Sequence, residues 1–160
     1  MEARLNAFAS PVLGKVFKHL IAASAAITDE VLPYTVQELV RLRASQINGC
    51  GACIDMHFKE AVHAGEDPAR LNLVVAWREA TVFTDAERAA LELAEEGTRL
   101  ADAAGGVSDE VWERAAKHFD EEQLAALVGV IAIINAFNRG NVMLRQPAGS
   151  YEAGMYKHHH

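Results

Sequence analysis

The sequence predicts an all-α fold, one domain built as a helical bundle of about six helices, and three observations carry that prediction. Proline is scarce, 4 of 160 residues, while Ala, Leu and Glu recur throughout, and these side chains lose little freedom on a helix. Apolar residues return at the i, i+3/i+4 spacing of a helix face, and nothing alternates with the two-residue period of a half-buried strand. Helix start and stop signals then cut the chain into segments of ordinary helix length.

The first segment, Ser10 to Ile27, has Pro11 where a helix's first turn tolerates it. Its residues Val12, Leu13, Val16, Phe17, Leu20 and Ile21 fall on one expected buried face. Residues 29–34 form a connector broken by Pro33. Thr35, with Glu38 three residues on, reads as a capping box at the head of "VQELVRLRASQING". That helix places Val36, Leu39, Val40 and Leu42 inward and stops near Asn48-Gly49. The next helix begins between Cys50 and Ala52 and runs to Ala64-Gly65, with Gly65 just past its end. "EDPARLNLVVAW" is a short helix with Pro68 in its first turn, Thr84 and Glu87 form a second capping box, and Ser108 caps "DEVWERAAKHF". The last long segment, roughly Asp120 to Met143, carries Leu124, Leu127, Val128, Ile131, Ile134 and Phe137 on a wide apolar stripe. Within it "ALVGVIAIINAF" is apolar almost all round, which predicts a central helix or one at a subunit interface.

A chain of 160 residues suits one domain with a substantial core. Residues 1–145 are expected to form it, with 146–160 a flexible tail whose final "HHH" reads as a tag remnant. The net charge of -7 and the lack of a Lys/Arg stripe argue against a nucleic-acid partner. No uninterrupted apolar run approaches the ~18 residues a membrane span requires, and no signal-peptide pattern opens the chain, so a cytoplasmic protein is expected.

The two cysteines stand together in "QINGCGACIDMHFKEA", residues 46–61. A C-x-x-C pair opening a helix is chemically distinctive, because the free N–H groups and dipole there stabilise a thiolate. Gly51 and Ala52 are small, so the sulfurs of Cys50 and Cys53 can approach across one turn. His57, four residues after Cys53, shares its helix face and could take the thiol proton. Glu38, twelve residues before Cys50, could orient that imidazole if the two helices pack antiparallel. Two other readings stand beside this one. The pair could be simple buried packing, or Cys50, Cys53 and His57 could hold zinc with a fourth ligand, for which His63 is poorly placed. His19, His63 and His118 read as surface or packing residues.

The run from "ELVRLRASQINGCGACIDMHFKEA" through "AWREA…FTDAERAALELAE" to "AIINAFNRGNV" resembles the AhpD-like alkylhydroperoxidase family of the carboxymuconolactone decarboxylase superfamily. The family pattern is a glutamate, eleven residues, C-x-x-C, and a histidine after three more; Glu38, Cys50, Cys53 and His57 match it. The resemblance implies an all-helical fold that assembles as a dimer, trimer or hexamer. It implies a thiol-dependent peroxidase reducing organic hydroperoxides with electrons from a dithiol donor, lipoyl-type or thioredoxin-like, with no cofactor or metal. It also implies roles: Cys53 attacks the peroxide, Cys50 resolves, His57 is the base and Glu38 shares its proton relay. The helix dipole alone favours Cys50 as the thiolate, whereas His57 one turn below Cys53 favours the family's assignment. The chain departs from the best-known peroxidase pattern at Ala52, where that member carries a second histidine. Asn138 and Arg139 match the family near the C-terminal helix and read as structural. The alternatives to peroxidase chemistry are a lactone decarboxylase, a disulfide oxidoreductase, or a redox-sensing helical oligomer.

Overall fold

The computed structural model describes residues 2–103 and 105–155; the tag reading of 158–160 lies outside them. Seven α-helices and one 3-10 turn are formed by the described residues, which contain no strand. They are α1 (Pro11–Ala25), α2 (Tyr34–Asn48), α3 (Gly51–His63), α4 (Pro68–Asn72), α5 (Asp85–Thr98), α6 (Asp109–Ala116) and α7 (Glu121–Leu144), with the 3-10 turn Leu73–Ala76 continuing α4. The Thr84–Glu87 capping box and the Ser108 cap form as the sequence predicts, and a further box, Asp120 with Gln123, opens α7.

Helix α2 is the hub, packing against α3, α5 and α7. Val36 and Val40 face one apolar cluster with α5, α6 and α7, filled by Leu93, Phe119, Leu127 and Val130. Leu39 and Leu42 face a second, with Ala61, Leu71, Val74, Trp77 and Phe83. At the C-terminal end of α2, Ala44 meets Cys50, Cys53 and Ile134 in a third, small cluster. A fully buried leucine contributes about 1.5–3 kcal/mol relative to exposure, so these faces fix the register of α2 against its neighbours.

Three local expectations are corrected. The Thr35–Glu38 capping box does not form: α2 starts at Tyr34 with Pro33 at the cap position and no side-chain cap. Thr35 lies inside the helix and its hydroxyl donates to Glu66, while the Glu38 carboxylate faces away to charged partners. In α1 only Phe17 of the predicted face is buried; Val12, Val16 and Ile21 are exposed, because α1 meets the bundle along a narrow strip on α7. At that strip Gly140 lets the Phe17 ring seat against α7, since a Cβ there would lie 2.8 Å from Phe17 Cζ. On α7, Val128 is exposed rather than part of the buried stripe.

Helix α7 is long and apolar enough to cross a membrane by length and composition. It packs here against α1, α2, α3, α5 and α6 and buries Asn135 and Asn138, which makes it the central helix of a bundle. Residues 146–155, expected as a tail, run back along α3. Asp55 accepts from the backbone N–H of Gly149 and Tyr151, and Lys59 donates to the Tyr151 carbonyl. Ala148 passes near the N-terminal end of α3, where a Cβ on Gly51 would lie 3.4 Å from its methyl group.

Candidate active site

Gly49 ends α2 in the left-handed conformation (φ 65°), which reverses the chain in two residues and lets Cys50 begin α3. Cys50 is the N-cap of α3, its sulfur accepting from the Cys53 backbone N–H at 3.4 Å. The two cysteines are joined as a disulfide and are almost fully buried. With α2 and α3 antiparallel, His57 comes opposite Glu38: Nδ1 lies 2.9 Å from Oε2. The structure thus brings the sequence-predicted residues together as two buried pairs, Cys50–Cys53 and Glu38–His57, with Cys53 and His57 one turn apart on α3.

The electrostatics of Glu38 follow from its partners. Burial alone would raise its carboxyl, but the His57 ring and the Arg41 guanidinium outweigh that and hold it below the ordinary glutamate range. Arg41 Nη1 donates to Glu38 Oε1 at 2.6 Å, and its other nitrogen reaches Gln37 and Ser24. With Glu38 a carboxylate, Nδ1 of His57 carries the proton it donates, which leaves Nε2 as the nitrogen able to accept one. Beside this pair, burial and then the charges of Glu38 and Glu60 push the Tyr34 phenol well above its usual value, so it stays neutral.

Two residues at the site escaped the sequence reading. Arg41 stands three residues after Glu38 on the same helix face, a spacing that signals an ion pair but equally a solvated one. Asn141 on α7 donates from Nδ2 to Cys53 Sγ at 3.4 Å across 88 residues of sequence, and no local pattern announces that. Asn138 is fully buried and crosslinks helices, donating to Ser45 and accepting from Asn48. Arg139 reaches back to Asn135 within α7. Ala52 is partly buried on the first turn of α3.

His19, His63 and His118 are exposed. Among the described residues no group of three or more His, Cys, Asp or Glu side chains is arranged to hold a metal ion. A separate cleft of about 550 Å³, lined by Thr35, Glu66, Arg70, Glu87 and His118 among others, does not include the disulfide. Chemically, the site offers a dithiol/disulfide couple one helical turn from an imidazole whose Nδ1 is hydrogen-bonded to a carboxylate.

Known proteins share this architecture. The model of the carboxymuconolactone decarboxylase family matches residues 11–96. The uncharacterized protein YdfG of Bacillus subtilis is 40% identical over 116 residues, 72% of this chain and 78% of YdfG. The uncharacterized protein YnjA of Escherichia coli is 32% identical over 113 residues, 71% of this chain but only 60% of YnjA. A crystal structure from Agrobacterium tumefaciens, of a protein of unknown function proposed as the antioxidant defence protein AhpD, superposes with a TM-score of 0.84 at 34% identity. That superposition spans 94% of this chain and 100% of the other. The debrominase Bmp8 shares the fold at a TM-score of 0.74 and 20% identity, over 88% of this chain and 73% of Bmp8.

Proposed function

Since the chain belongs to the carboxymuconolactone decarboxylase family and has the AhpD-like fold, we propose that it is a thiol-dependent peroxidase reducing organic hydroperoxides. The observation that carries this reading is the Cys50–Cys53 disulfide set one turn from a histidine hydrogen-bonded to a buried, anionic glutamate. A disulfide in that setting is poised for turnover, because a base stands ready for the proton each cycle must move.

In the reduced protein His57 Nε2 takes the Cys53 thiol proton, and Glu38 stabilises the imidazolium that results. The Cys53 thiolate attacks the terminal peroxide oxygen; the S–O bond forms, the O–O bond breaks, and the alkoxide takes the proton from His57 to leave as an alcohol. Cys50 then attacks the sulfenic sulfur, restoring the disulfide as hydroxide departs with the Cys50 proton as water. A dithiol donor, lipoyl-type or thioredoxin-like, supplies two electrons and two protons and leaves as its own disulfide. The reading includes homo-oligomeric assembly, which the resemblance implies, and a cytoplasmic setting, carried over from the sequence expectation.

The test is mass spectrometry of the reduced protein after stoichiometric cumene hydroperoxide. A sulfenic acid on Cys53 of the Cys50→Ser variant, and a Cys50–Cys53 disulfide in the wild type, are expected. Two persistent free thiols would sink the proposal. A disulfide that cycles with dithiols but never responds to peroxide would instead favour a disulfide oxidoreductase. Turnover of a muconolactone-type substrate by the double serine variant would favour a lactone decarboxylase.

A further inference from the structure

The two sulfurs receive different hydrogen bonds. Cys50 Sγ accepts from the Cys53 backbone N–H, the ordinary N-cap contact, at 3.4 Å. Acting alone, that bond and the helix dipole would gather negative charge on Cys50 and make it the thiolate of the pair. Cys53 Sγ instead receives the side-chain amide of Asn141, also at 3.4 Å, from the last turn of α7.

This donor is held in place from two sides. Three residues before it, Asn138 is clamped between Ser45 and Asn48 of α2, which pins the end of α7 against the helix that leads into the disulfide. Two turns before it, Ile134 packs in the same small cluster as both cysteines. Beyond Asn141, its own carbonyl accepts from the Gln146 N–H, closing the helix end. A pre-set donor aimed at one sulfur acts most strongly when that sulfur carries charge, because charged acceptors strengthen hydrogen bonds.

We propose that the Asn141 amide acts beside His57 to favour Cys53 over Cys50 as the thiolate, and so helps set which sulfur attacks. The inference rests on the peroxidase reading for its consequence, but not for its measurement. Charge appears on Cys53 at two moments. In reduction, a donor thiolate bonds to Cys50 Sγ, the S–S bond breaks, and its electron pair leaves on Cys53 beside the Asn141 N–H. The donor's second thiolate then displaces Cys50 from the mixed disulfide, and Cys50 takes up a proton. In oxidation, the same stabilised Cys53 thiolate donates its electron pair to the peroxide oxygen. One amide therefore assists both departure and attack on the same atom.

The experiment measures each thiol separately. Cys53 is titrated in the Cys50→Ser protein by iodoacetamide alkylation against pH, with Asn141 and with Asn141→Ala, Asn141→Leu or Asn141→Asp. Cys50 is titrated likewise in the Cys53→Ser protein. Loss of the amide is expected to raise the Cys53 pKa by about one unit, and so to slow its alkylation about tenfold at mildly acidic pH. Asn141→Asp, which keeps the shape but brings a negative charge, is expected to raise it further. Cys50 is expected to stay where it was. An unchanged Cys53, or equal shifts of both thiols, would overturn the assignment. Because no peroxide enters the assay, a wild type inactive toward peroxides would defeat the peroxidase reading and leave this result standing.

Discussion

His57 Nδ1 and Glu38 Oε2 lie 2.9 Å apart across the α2–α3 hairpin, while the other Glu38 oxygen is held by Arg41. One carboxylate is thus shared between an imidazole and a guanidinium. Glu38→Gln keeps much of the shape and removes the charge. It is expected to lower kcat/KM for hydroperoxide about 10- to 100-fold while the disulfide still forms on chemical oxidation. Steady-state turnover beside a thiol count checks both halves; unaltered turnover would remove Glu38 from the relay.

The same carboxylate makes stability pH-dependent with a definite sign. Its folded-state value lies below the ordinary 4.5, so in that window the folded protein binds fewer protons than the unfolded chain. Its stabilisation is complete above that ordinary value and is lost as pH falls through the lower, folded one. As pH falls below 4.5, wild-type urea midpoints are expected to fall more steeply than those of Glu38→Gln. Parallel slopes would show that Glu38 does not contribute.

Glu95 holds a second buried junction, accepting from Arg43 at 2.7 Å and from the Trp77 indole at 2.8 Å, with Arg78 also bound. Removing the carboxylate strands donors from α2 and from the segment after α4. Glu95→Ala is expected to cost about 2–3 kcal/mol of stability and to alter Trp77 fluorescence, with the chemistry at Cys53 unaffected. Urea denaturation and emission spectra read the two effects.

Gly140 faces the Phe17 ring so closely that a methyl group must displace it, and that ring is packed between Phe8 and Phe137. Gly140→Ala is expected to destabilise by about 1–3 kcal/mol, through overpacking. In the Phe17→Leu background the same change should cost clearly less, which a double-mutant cycle of denaturation midpoints would reveal.

Asp55 ties the 146–155 segment to α3 through the Gly149 and Tyr151 N–H groups. Asp55→Ala is expected to speed limited proteolysis within that segment several-fold, because it removes both backbone anchors. An unchanged cleavage rate would show that other contacts hold the segment.

Much of this was legible in local chemistry. Capping residues, helix-period apolar faces and the C-x-x-C…His spacing depend on neighbours within a few residues, so Thr84, Ser108, Gly65 and the pairing of Cys53 with His57 on one face could be read from the chain itself. Glu38 was legible only through a longer spacing and a family resemblance. Local residue patterns alone settle the helical class, the order of the helices and the cysteine pair with its histidine. Tertiary structure decided that Glu38 serves Arg41 and His57 instead of capping α2, since the helix begins at Tyr34 and so places Glu38 beyond the free N–H groups of its first turn. It also decided that α1 lies on the surface, because apolar periodicity states which residues share a face and not whether anything covers it. Most of all it decided that Asn141 meets Cys53: a hydrogen bond across 88 residues exists only once α2, α3 and α7 have packed.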